Sequence, residues 1–135
     1  MERLFDLIEQ LKSRCIKNEL VIREEANISL AEYNGISALD PEERVCGNDL
    51  SRKMNLSPSR ASRVIDKLVK NGYLLREGDA ADRRRCTISL AKKGLLLKNK
   101  IEMIKRDCEN KVMAGLTERE MKYFTISIKK INAIL

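Results

Sequence analysis

A mainly α chain carrying one small β-hairpin is predicted by three observations. Apolar residues recur at spacings of three and four through most of the 135 residues. Only six Gly and two Pro are present, so few positions resist a helix. The exception is the stretch 73–90, where two short runs of strand character flank a turn-rich loop. The length suits one modest domain.

Leu4, Ile8, Leu11 and Cys15, with Leu7 beside them, predict an amphipathic helix over 2–24. A second helix is expected over 28–39 despite Gly35. Asp40-Pro41-Glu42-Glu43 has the cap, first-turn proline and third-position carboxylate of another start, predicting a short helix to about Met54. Asn55-Leu56-Ser57-Pro58 then reads as a break and a restart, with Ser57 as cap and Pro58 at the first helical position. Within this helix Ala61, Val64, Ile65 and Leu68 share one face, leaving Ser59, Arg60, Ser62, Arg63 and Lys67 to solvent. Gly72 supplies the left-handed residue that ends it. YLLRE and RCTISL follow as strands of a basic hairpin, with Ile88 and Leu90 alternating against Thr87 and Ser89 and Gly78 and Asp79 in the turn. From Ala91 to about Leu116 a helix of roughly 24 residues, about 36 Å long, is predicted. Thr117-Glu118-Arg119-Glu120 is a capping box for a last helix, whose Met121, Phe124, Ile128, Ile131 and Leu135 form a coiled-coil-like seam. The terminal helices are thus expected to form an interface, within one chain or across a symmetric dimer.

Charge is distributed unevenly. Residues 1–51 hold six basic and eleven acidic side chains, 52–106 hold sixteen and five, and 107–135 hold five and four. The net of +7 thus conceals a concentrated excess in the middle of the chain, where a nucleic-acid footprint could form. Histidine is absent, which removes the commonest general base and metal ligand and argues against an enzyme. A nuclease using carboxylates and Mg²⁺ would need an acidic pair in this zone, and Asp79 and Asp82 both belong to a turn. Cys15, Cys46, Cys86 and Cys108 form no C-x-x-C pair, so neither a metal site nor any cofactor is expected. No signal-peptide pattern opens the chain and no apolar run approaches a membrane span, so a reducing cytoplasm is the expected location.

Two helices parted by a tight break and followed by a basic hairpin is the order of a winged helix-turn-helix, whose second helix enters the major groove of double-stranded DNA. Ser57, Ser59, Arg60, Ser62, Arg63 and Lys67 are the candidate contacts from that helix. An arginine at 60 or 63 can grip guanine through two hydrogen bonds, and the serines anchor phosphate or read through water. Arg83, Arg84 and Arg85 at the wing suit the negative potential of a narrow minor groove, with Asp82 placed to orient one of them. A winged-helix module docking protein partners is the alternative, and it leaves the basic segment without a task.

Residues 50–94, LSRKMNLSPSRASRVIDKLVKNGYLLREGDAADRRRCTISLAKKG, resemble the DNA-binding core of the MarR family of bacterial and archaeal transcription regulators. The most specific part is the wing pattern of Asp82 and Arg84 followed by a strand, Leu90 and Gly94. The resemblance implies a single domain over 1–135, with 1–24 and 95–135 as dimerisation helices around a winged helix-turn-helix lobe at 28–94. It further implies a homodimeric repressor on a pseudo-palindromic operator, released by a small-molecule or oxidant signal. The family's effector pocket would draw here on Ile8, Leu11, Ile28, Leu30 and Tyr33, although apolar residues at such a junction are more often plain core. Cys15 corresponds to the N-terminal region where an oxidant-sensing branch carries its reactive cysteine, but it also fits the apolar stripe of its helix, and packing is the commoner fate. Cys108 continues the spacing of Ile101 and Ile104 and reads as filler. Two departures stand out. Ala91 replaces the usual Thr after the wing strand, which leaves Ser89 as a candidate cap. Cys46 lies where a Thr or Ser commonly opens the first helix of the motif, which leaves Asn48 as a candidate cap.

Overall fold

A computed structural model of the chain describes residues 2–78 and 86–135. The elements run α1 (Leu4–Ala26), α2 (Leu30–Ser37), β1 (Val45–Cys46), α3 (Gly47–Lys53), α4 (Pro58–Lys70), β2 (Leu74–Glu77), β3 (Thr87–Leu90), α5 (Lys92–Gly115) and α6 (Glu118–Ile134). The mainly helical class with a small antiparallel sheet is as the sequence predicts.

The sheet is larger than a hairpin. β1 joins it on the far side of β3, giving the antiparallel order β1-β3-β2, with Val45 opposite Ile88 and Leu74 opposite Leu90. This corrects the helix expected from Asp40. Half of the capping geometry exists, because the Glu43 carboxylate accepts the Asp40 amide at 3.0 Å, while the Glu43 amide donates to the Asp40 backbone carbonyl at 3.1 Å. It closes a single turn, since Val45 and Cys46 go on to satisfy their backbone groups against β3 and helix resumes only at Gly47. Cys46 therefore stands at the N-cap of α3 without a side-chain cap bond, and Asn48 lies inside the helix rather than capping it. Ser89 sits within β3 opposite Leu75.

Three left-handed stops set the chain's reversals. Asn27, Asn55 and Gly72 have φ of 53°, 57° and 81°. At Gly72 the amides of Gly72 and Tyr73 return to the carbonyls of Val69 and Leu68 at 3.1 and 2.9 Å, closing α4 in a Schellman motif. α2 is likewise fixed at its start. Ser29 and Glu32 exchange the two bonds of a capping box, which shortens the helix expected from residue 28.

The chain divides into two compact units, Met1–Ile101 and Glu102–Leu135, the boundary falling inside α5. In the first, Ile36, Leu39, Leu50, Leu68, Leu74 and Ile101 are fully buried, each worth about 1.5–3 kcal/mol of transfer free energy. Lys98 is buried with them. Its ammonium donates to the carbonyl of Ser37 at 2.5 Å, placing a cation at the C-terminal end of α2, where the helix dipole favours it. The amphipathic face of α1 lies open, with Leu4, Phe5, Ile8 and Leu11 exposed and Ile22 its one buried residue. In the second unit α6 buries no residue, so its predicted seam has no cover within that unit.

Gly94 is required by close approach. A Cβ there would lie 2.0 Å from the Tyr73 carbonyl oxygen, a backbone atom that already accepts the Ala91 amide at 3.0 Å. Gly94→Ala should destabilise the protein by about 1–3 kcal/mol through forced separation of α5 from the sheet, read as a lower urea midpoint.

Candidate nucleic-acid interface

α3 and α4 form a helix-turn-helix whose turn is fixed by torsion rather than by loop length. Left-handed Asn55 lets the Asn55 and Leu56 amides return to the carbonyls of Arg52 and Ser51 at 3.0 and 3.1 Å. The Ser57 hydroxyl then accepts the Arg60 amide at 3.3 Å and Pro58 occupies the first helical position, so α4 starts where the sequence predicts.

Ala61, Ile65 and Leu68 hold α4 on the core. The opposite side presents Ser57, Ser59, Arg60 and Arg63 to solvent, and Ser62 is half-buried. Among the described residues neither Arg60 nor Arg63 has an ion-pair partner, which leaves two guanidinium groups uncompensated on the N-terminal half of the helix. Nearby cations are differently placed. Arg52 pairs with Asp49 at 3.0 Å, Lys53 bonds the Glu43 carboxylate, and Lys93 sits 4.3 Å over the Tyr73 ring while donating to the Asn71 carbonyl.

Each flank of α4 carries an ion pair. On one, the Lys67 ammonium lies 3.3 Å from a carboxylate oxygen of Glu32 in α2; on the other, Arg76 of β2 bonds Asp66 at 2.5 Å. Lys67 is among the contacts expected from the sequence, whereas Glu32, Asp66 and Arg76 are not. The capping box at Ser29 was a legible signal for Glu32, whereas no spacing pairs 66 with 76.

The remaining candidates are scattered. Asp82, Arg83, Arg84 and Arg85 lie outside the described residues. Gly94 stands in the first turn of α5 against Tyr73. Ile28 and Tyr33 are buried, whereas Ile8, Leu11 and Leu30 are exposed at 42%, 47% and 45%. Cys15 is exposed rather than packed, because the stripe of Leu4, Ile8 and Leu11 that it continues is itself uncovered, and Cys108 is half-buried. Cys86 is buried and Cys46 half-buried; both line a concavity of about 420 Å³ shared with Pro58, Ser62, Ile65 and Arg76, which the sequence does not reveal. Among the described residues no helix is long and apolar enough to cross a membrane.

The fold and this surface define a winged helix-turn-helix protein. The MarR family model matches residues 28–86. The chain is 27% identical over 108 residues to the HTH-type transcriptional regulator PapX of Escherichia coli, covering 78% of this chain and 66% of that protein. It thus spans just under two thirds of that relative's length. Two solved structures share the fold: Streptococcus pneumoniae FabT in complex with DNA, with TM-score 0.76, 22% identity and 96% of each chain covered, and Staphylococcus aureus MarR in complex with salicylate and kanamycin, with TM-score 0.79, 17% identity and coverage of 96% of this chain and 88% of that one. Residues 28–86 thus carry the match to the MarR family model, and the chain shares its fold with regulators of that kind.

The titration of Glu43, which anchors Lys53 of α3, is displaced. The Asp40 amide, and after it the Lys53 ammonium, hold its carboxyl below the ordinary 4.5. A depressed carboxyl stabilises the fold above its unfolded pKa, and that contribution is lost as pH falls through the folded value. The stability difference between wild type and Glu43→Gln should be flat from about pH 7 to about pH 5 and shrink below that, as measured by urea titrations at each pH.

Proposed function

We propose that this protein is a sequence-specific, double-stranded DNA-binding transcription regulator rather than an enzyme. It acts as a cytoplasmic homodimeric repressor and leaves a pseudo-palindromic operator on a small-molecule or oxidant signal. The observation that carries the reading is the uncompensated pair Arg60 and Arg63 on a recognition helix whose start is capped by Ser57 and whose inner face is buried. Arg60 and Arg63 reach base edges or phosphate, Ser57, Ser59 and Ser62 anchor the backbone, and Arg83, Arg84 and Arg85 enter the neighbouring minor groove. The FabT structure with DNA supports the same use of this fold.

Dimerisation covers what the chain leaves open. Leu4, Phe5, Ile8 and Leu11 of α1 and Phe124, Ile128 and Ile131 of α6 are exposed, and burying each returns up to about 1.5–3 kcal/mol. In this reading 1–24 and 95–135 associate, 28–94 binds DNA, and the recognition helices of the two copies lie about 34 Å apart, one turn of duplex. Ile8, Leu11, Ile28, Leu30 and Tyr33 form the effector pocket, in keeping with the salicylate held by the Staphylococcus aureus protein.

Selection from a random duplex pool, followed by anisotropy titration of the enriched sequence at several salt concentrations, tests the assignment. Arg63→Ala should weaken binding by about 1–3 kcal/mol if it reads a base, and Arg84→Ala should lower the salt slope by about 0.9 if it meets phosphate. Equal binding by both variants and wild type sinks the site assignment, and a monomer in sedimentation sinks the dimer.

A further inference from the structure

We propose that Lys67 and Glu32 are positioning residues that set the rotation of the recognition helix about its own axis, and that Lys67 acts through Glu32 rather than by touching phosphate. The inference rests on the DNA-binding reading above. Ala61, Ile65 and Leu68 fix α4 to the core through apolar contact, which is non-directional and leaves roll about the axis weakly determined. Directional bonds at the flanks determine it. The Arg76–Asp66 pair ties one flank to the wing strand, and the Lys67–Glu32 pair ties the other to α2.

The two pairs are not equivalent. Asp66 and Arg76 are both partly exposed, whereas the Glu32 side chain is 4% exposed and its carboxylate is already committed. One carboxylate oxygen accepts the Ser29 amide at 3.2 Å and meets the Lys67 ammonium at 3.3 Å, while the Glu32 amide donates to the Ser29 hydroxyl at 3.1 Å. Glu32 cannot follow a rolling α4 without opening the start of α2. Nor can Lys67 leave for a phosphate without stranding a buried carboxylate. Arg60, seven residues before Lys67, lies on the same side of the helix, so the roll fixed at Lys67 is the roll with which Arg60 is presented.

The experiment compares wild type, Glu32→Gln, Lys67→Met, Lys67→Arg and the Glu32→Gln/Lys67→Met double variant. Each is titrated on the duplex enriched by the wild type and on a random-sequence duplex of equal length. Gln at 32 keeps an acceptor for the Ser29 amide, so the capping box survives. Both single variants should weaken binding to the enriched duplex about tenfold, with the double variant no weaker than either. Affinity for the random duplex and the salt slope should stay at wild-type values, and Lys67→Arg should restore binding. If Lys67→Met instead weakens both duplexes and lowers the slope by about 0.9 while Glu32→Gln binds normally, Lys67 is a phosphate contact and the proposal is overturned. A wild type that enriches no sequence overturns the DNA-binding reading and this inference with it, whereas normal binding by the variants overturns the inference alone.

Discussion

The backbone of Tyr73 is the point on which the first unit depends. Its amide closes α4, its carbonyl accepts Ala91 at the entry to α5, and that same oxygen lies so close to Gly94 that no side chain fits between. α4, the sheet and α5 therefore meet at one residue with no clearance. The Tyr73 ring adds a platform for Lys93, whose ammonium also satisfies the Asn71 carbonyl at the end of α4. Interiors packed at crystal-like density transmit a displacement rather than absorb it, so a shift at this junction is felt by both α4 and α5.

The elements most legible in the sequence were those with punctuation of their own. Ser57-Pro58, Gly72 and Thr117-Glu120 each mark a boundary through a local hydrogen bond or torsion that needs nothing distant, and each marks it correctly. Asp40-Glu43 shows the limit of such signals. Its Glu43 carboxylate accepts the Asp40 amide as in a capping box, yet β3, some forty residues downstream, claims the chain for a strand, and no local rule registers that pairing. Lys98 fails for another reason: with Gly94 and Ile101 it falls on buried helical spacing, but its charge argues for the surface until the Ser37 carbonyl is seen beside it. For the site, residue type and spacing locate the exposed side of α4. The ion pairs that hold its flanks join residues ten and thirty-five positions apart in sequence and are visible only in three dimensions.

The charge pattern gains structural meaning from those pairings. Within the basic middle segment, Lys67, Arg76, Lys93 and Lys98 each meet a carboxylate, a ring or a carbonyl of the fold. Arg60 and Arg63 have no ion-pair partner among the described residues. Some of the central excess thus serves internal cohesion, and the part left for an external anion is narrower than the sixteen basic side chains suggest. The terminal helices show the converse, with apolar side chains in water and few internal contacts to satisfy them.

The left-handed stop at Asn55 has a consequence for the thermodynamics of recognition. Because the turn is closed by two backbone bonds and the next helix begins two residues later on its own cap, the angle between α3 and α4 is settled when the chain folds. Ordering of that backbone is charged to folding, and a partner meeting the exposed side of α4 has only side chains such as Ser59, Arg60 and Arg63 left to immobilise, at about 0.5–1.5 kcal/mol for each rotamer-rich one. Association at this face is therefore expected to resemble the docking of a rigid body, with discrimination between partners expressed in how long they stay rather than how fast they arrive.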